Sequence, residues 1–188
     1  MSHVPTPSQT VGPFFSIGLS ALCRPGIECA GEKGNRVTIR GRILDGDGEP
    51  VPDALLEIWQ VDHVSNEPYQ GEQTIERRKT LPFGFGRIAT NECGEFQFST
   101  RKPAAGQKDG MIYAPHLAVL VLMRGLLRHL VTRIYFAGEA ANEQDMVLKL
   151  VPAERRETLL AMPSPDGDND LRWDIHLQGD RETVFFEV

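Results

Sequence analysis

A chain of 188 residues with a net charge of −6 is long enough for one core-bearing domain and short for two, and its acidic balance excludes a basic surface for nucleic-acid phosphates or anionic lipid. Apolar residues make up 40% and charged residues 24%, with 18 Gly and 13 Pro, which excludes wholesale disorder and points to a folded protein rich in turns. Three cysteines, Cys23, Cys29 and Cys93, with no CxxC spacing exclude a disulfide framework and a zinc knuckle; a small anionic substrate remains open, because one arginine sets a local field whatever the net charge.

The opening MSHVPTPSQT lacks a basic stretch followed by an apolar run, and the most apolar stretch, His116 to Val131, is interrupted by Arg124 and Arg128. A soluble, cytoplasmic protein with no membrane partner is expected. From Val37 the pattern VTIRGRIL puts Val37, Ile39, Gly41 and Ile43 on one face and Thr38, Arg40 and Arg42 on the other, the period of a half-buried strand. DGDGEPVPD reads as a turn cluster, and ALLEIWQ, Ala54 to Gln60, as a second strand lying close to the first in one sheet. Asp62 to Thr80 is polar, without period and too long for a simple connection; it reads as a functional loop or as an arm that finds its order on a partner.

Strand character resumes at Gly86 to Thr90, turns through NECG and continues in EFQFST, where Phe96 and Phe98 share a face, so a hairpin is predicted. HLAVLVLM and VTRIYF, separated by RGLLRHL, are apolar on both faces and are predicted as interior strands, with a buried helix as the competing reading. Pro152 followed by AERRETLLAM is a signal for a short helix with Leu159 and Leu160 on its core face. LRWDIHLQ alternates Leu171, Trp173, Ile175 and Leu177 with polar residues; GDRE then reads as a turn and TVFFEV as a last strand. Many short strands and little helix predict an all-β fold, a β-sandwich with long loops and one or two short helices, in a single domain over residues 1–188.

The segments GRILDGDGEPVPDALLEIWQVD, FGRIATNECGEFQFSTRKP, APHL, TRIYF and RWDIHLQGDRETVFF, occurring in this order, resemble the intradiol ring-cleaving dioxygenases over most of the chain beyond its first thirty residues. TVGPFF and HLAVLVLMRGLLRHLVTRIYF resemble the chain without metal in the family's two-chain members more than any catalytic relative. The resemblance implies an oxygen-dependent cleavage of a small aromatic substrate. It also implies ferric iron held by two tyrosinates and two histidines, since a hard trivalent ion needs anionic oxygen donors. The histidine pair takes the form H-x-H because residues i and i+2 of a strand point to the same side.

Here the matching position reads Pro115-His116-Leu117-Ala118, and a methyl group ligates nothing. The second tyrosine is expected a few residues after the KP that ends the hairpin, where KPAAGQKDG offers Gly106 and no phenol. Tyr69, in EPYQGE, matches the first tyrosine ligand if a short insertion follows WQVD, and Tyr113 stands where the catalytic chains carry an arginine near the iron. No metal ligand and no catalytic residue is therefore expected in this chain. His116 reads as a strand histidine hydrogen-bonded in or near the core, the Asp174 and His176 pair as a solvated strand face, and His3, His63 and His129 carry no case for a site.

With its own metal lost, the chain is expected to act at an interface with a homologous beta subunit that holds the ferric iron. The resemblance then implies that residues 1–30 form an arm contacting the partner, that Thr10, Gly12 and Pro13 border the substrate, and that Arg133 approaches it. Gly12 would let backbone come close to a flat ring, Pro13 would fix the turn, and the Arg133 guanidinium would favour a carboxylate. Read without the resemblance, Gly12 and Pro13 form a turn after an arm and Arg133 pairs with a surface carboxylate. An alternative of another class stands on the same lost ligands: a degenerate β-sandwich that binds or scaffolds without ring cleavage.

Overall fold

The computed structural model describes residues 10, 12, 14–24, 26–27, 35–61, 83–108 and 110–187; the segment Asp62 to Thr80 lies outside the described residues, as do Pro13, Cys29 and Tyr69. Eleven strands are described: β1 (Arg36–Leu44), β2 (Leu55–Val61), β3 (Phe83–Ala89), β4 (Glu95–Arg101), β5 (Gly106–Lys108), β6 (Met111–Tyr113), β7 (His116–Leu122), β8 (Leu130–Phe136), β9 (Leu160–Pro163), β10 (Asp170–Arg172) and β11 (Ile175–His176). The α-helices are short, α1 (Phe14–Leu19) and α2 (Met146–Leu150), and no described helix is long and apolar enough to cross a membrane.

One layer runs β8-β7-β2-β3 and the other β4-β1 with β10 and β11, and β9 joins them by pairing with β8 on one side and β10 on the other. The result is the predicted sandwich drawn round into a nearly closed sheet. Its core lies between the layers, where Ile39, Ile43, Ile58, Phe98, Leu117, Val119, Ile134 and Ile175 are fully buried. Each such side chain contributes about 1.5–3 kcal/mol relative to staying in water.

The predicted hairpin over Gly86–Thr90 and EFQFST does not form. The turn is as read, with Asn91 Oδ1 accepting from the Cys93 and Glu95 amides at 2.9 Å each and one ladder-like bond from Asn91 N to Glu95 O. Beyond it the strands part: β3 pairs along its length with β2, and β4 with β1. Ile88 points into the core from one layer, Phe96 and Phe98 from the other, so the turn carries the chain across the sandwich. For the same reason β1 and β2 do not pair with each other.

LRWDIHLQ, expected as one strand, is broken between β10 and β11 while both follow β1 in parallel. Gly41 causes the break, since a Cβ there would lie 1.7 Å from the Trp173 carbonyl oxygen. The backbone bulges against it and Asp174 Oδ1 accepts from Arg42 N at 2.9 Å in place of a strand carbonyl. TVFFEV is not a strand but a stretch with a single bridge, Phe186 to Val131, whereas the short helix read in AERRETLLAM forms as a 3-10 helix over Ala153–Leu159, with Leu159 buried, and runs directly into β9 at Leu160. Nor is β7 covered equally on both sides: Leu117, Val119 and Val121 are buried, while the residues between them are half-buried.

Candidate functional site

Of the residues singled out by the sequence, His116, Ala118 and Arg133 come together on one face of the β8-β7-β2-β3 layer. His116 lies opposite Tyr135 and Ala118 opposite Arg133 across β7 and β8, and Trp59 of β2 lies opposite Ala118 on the other side. Opposed residues of antiparallel strands point the same way. Because Leu117 and Val119 face the core, His116, Ala118, Trp59, Arg133 and Tyr135 share the opposite face, where Tyr135 is itself fully buried in a second apolar cluster with Ala114, Leu148, Val151 and Leu159. Trp59 is 38% exposed and packs at 4.5 Å on Phe85, itself 37% exposed; beyond them Arg87 is ion-paired with Glu57.

His116 Nδ1 is 2.8 Å from the Ala114 carbonyl oxygen, a contact that requires the proton on Nδ1, and its ring packs on Tyr135 with centroids 5.5 Å apart. The hydrogen-bonded histidine expected from the sequence is thus in place. Tyr135 donates to Asp145 Oδ1 at 3.0 Å. Asp145, fully buried, also accepts from Val147 N, Leu148 N and Ala114 N at 2.8–2.9 Å. It therefore caps α2 and ties that helix to β8 and to the entry of β7. Burial pushes the Tyr135 hydroxyl well above its ordinary range, with Arg133 pulling it back and Asp145 reinforcing the rise, so the phenol stays protonated. Arg133 Nη1 donates to that hydroxyl at 3.4 Å, and its guanidinium lies 5.9 Å from the Phe186 ring centroid.

Thr10 and Gly12 sit at the far end of the same hairpin, where Thr10 Oγ1 accepts from Gly12 N at 3.2 Å and from Gly125 N, in the turn between β7 and β8, at 3.3 Å. Gly12 has φ of 61°, a left-handed conformation that suits glycine. The β7–β8 hairpin thus carries Arg133 on one strand and holds Thr10 at its turn; Pro13 is outside the described residues. Asp145 and Tyr135 escaped the sequence reading. Signals for both were present: an Asp before the apolar run MVLKL is a helix cap, and Tyr135 follows Arg133 by two residues on one strand face.

These residues do not fit a ferric ion. Ala118 offers no donor beside His116, Gly106 has no side chain at the start of β5, and the Tyr135 oxygen is engaged by Asp145 and kept protonated. Among the described residues no group of three or more His, Cys, Asp or Glu is placed to hold a metal ion. Asp174 serves Arg42 N and Arg172 Nε, a structural use at the bulge. A cavity of about 460 Å³ opens elsewhere, lined by Arg40, Arg42 and Arg172 among others. Those guanidiniums are paired with Asp170, Glu95 and Asp174 at 2.9, 2.6 and 3.1 Å, and none of the residues named above as candidate site residues lines it.

A model of the Dioxygenase family matches residues 24–179. The protocatechuate 3,4-dioxygenase alpha chain of Burkholderia cepacia is 42% identical over 97% of both chains, and that of Pseudomonas putida is 37% identical over 97% of this chain and 96% of its own. Among solved structures, 3-chlorocatechol 1,2-dioxygenase from Rhodococcus opacus superposes with a TM-score of 0.61 at 19% identity, covering 94% of this chain and 69% of that one, a likeness of fold.

Proposed function

This chain belongs to the intradiol ring-cleaving dioxygenase family, and from that premise we propose that it is the alpha subunit, without metal of its own, of a protocatechuate 3,4-dioxygenase. Its partner is the beta subunit, which holds the non-haem ferric iron. The assembly opens protocatechuate with O2 between the two hydroxylated carbons, both oxygen atoms entering the product, 3-carboxy-cis,cis-muconate. The iron, where bound, activates the catecholate toward oxygen. The part of this chain, a single domain over residues 1–188 in the cytoplasm, is to wall the pocket: Thr10, Gly12 and Pro13 border the ring, and Arg133 attracts the carboxylate.

The observation that carries this reading is the pairing of His116 with Ala118 on one face of β7, a sandwich retained while its ligand pair is broken. Support for the partner comes from the arm. Phe14, Ile17 and Leu22 are 75%, 70% and 53% exposed, apolar side chains that a partner surface would cover. The experiment is expression of the chain alone and together with a beta subunit. The chain alone is expected to be colourless, iron-free and inactive, and the pair red-brown and able to cleave protocatechuate. Stoichiometric iron and ring cleavage in the isolated chain would overturn the assignment.

A further inference from the structure

Arg133 is held differently from the arginines that face carboxylates. Arg40, Arg42, Arg87, Arg124 and Arg172 each lie within ion-pair distance of an aspartate or glutamate. Among the described residues no carboxylate stands that close to Arg133. Its described polar partner is the Tyr135 hydroxyl, a neutral group, and its described aromatic neighbour is Phe186. A phenol directs a guanidinium without neutralising it, so the positive charge remains available to an anion.

The phenol is itself oriented. Its proton goes to Asp145 Oδ1, which turns the oxygen lone pairs toward Arg133. Asp145 is anchored by three backbone amides from two separate segments, and a donor bonded to a buried carboxylate becomes a better acceptor in turn. A free arginine side chain samples many rotamers, and ordering it costs that entropy. This chain of contacts removes part of that freedom before any ligand arrives. Across β7, Ala118 presents only a methyl group opposite Arg133, too short to compete for the guanidinium.

Building on the function proposed above, we propose that Tyr135, oriented by Asp145, is a positioning residue for Arg133, aiming its remaining N–H groups at the substrate carboxylate. The preference for a carboxylated catechol over plain catechol then passes through this hydroxyl. The test uses the assembled alpha–beta enzyme carrying Arg133→Ala, Tyr135→Phe or both, with kcat and KM measured for protocatechuate and for catechol. Removing the hydroxyl leaves Asp145 three amide donors, so Tyr135→Phe keeps the cap; melting of the assembly checks this.

Arg133→Ala is expected to lower the ratio of kcat/KM values, protocatechuate over catechol, by about tenfold, and Tyr135→Phe by about threefold, mainly through KM. In the double variant the ratio should fall no further than in Arg133→Ala alone, because one residue acts through the other. Equal losses on both substrates in Tyr135→Phe, or an unchanged ratio, overturn the positioning role while leaving Arg133 in place. An unchanged ratio in Arg133→Ala removes the arginine from carboxylate recognition and the positioning role with it. A wild-type pair without ring cleavage overturns the subunit assignment itself.

Discussion

Replacing Asp145 by alanine tests how much of this end of the molecule hangs on one carboxylate. The side chain is fully buried and receives four hydrogen bonds, from Val147 N, Leu148 N, Ala114 N and the Tyr135 hydroxyl. Loss of the helix cap removes about 1 kcal/mol. The Ala114 amide and the Tyr135 hydroxyl are then left buried without an acceptor, at about 1–3 kcal/mol each. The sum, about 3–7 kcal/mol, is a large share of the ~5–15 kcal/mol by which a domain of ordinary stability is folded. Urea unfolding followed by the fluorescence of Trp59 and Trp173 reads the change as a lower midpoint at constant slope. A shift worth less than about 1 kcal/mol would mean that water or a neighbouring group takes over the donors, and that Asp145 does not organise Tyr135.

Gly41→Ala would force a methyl group to 1.7 Å from the Trp173 carbonyl and 2.7 Å from Phe96 Cζ; since one of these atoms is backbone, the bulge must yield, and a loss of roughly 3 kcal/mol is expected in the same urea assay. Tyr135 gives a pH dependence. Its folded-state value is raised by burial above the ordinary 10.0, so the stabilisation it provides is complete below that pH and falls as pH rises beyond it, because the unfolded chain releases the proton first. Thermal melting between neutral and strongly alkaline pH should show a decline that is shallower in Tyr135→Phe, and identical slopes in the two proteins would refute the burial argument.

The strands were legible because their alternation is written locally: Val37, Ile39 and Ile43 repeat every two residues, and all three are buried in β1. Turns were legible for a similar reason, as Asp45 and Asn91 fold back on amides two and four residues ahead. Pairing was not. Asn91 makes the same turn whether the strands that follow stay together or part into opposite layers, and nothing within NECG distinguishes the two. The break in LRWDIHLQ was hidden likewise, since its alternation is unbroken and its cause, Gly41, lies far away in sequence on the neighbouring strand.

The candidate site divides along the same line. That Ala118 cannot serve as a metal ligand beside His116 follows from residue chemistry and the two-residue period of a strand, and needs no coordinates. Tertiary structure alone decides that Arg133 is directed by a neutral phenol while Arg40, Arg42, Arg87, Arg124 and Arg172 face carboxylates, and that Thr10 meets the turn of the hairpin on which Arg133 stands. The physical reason is range: side-chain identity and strand period act over a few residues, whereas the partner of a charge is set by whichever distant segments the fold packs against it.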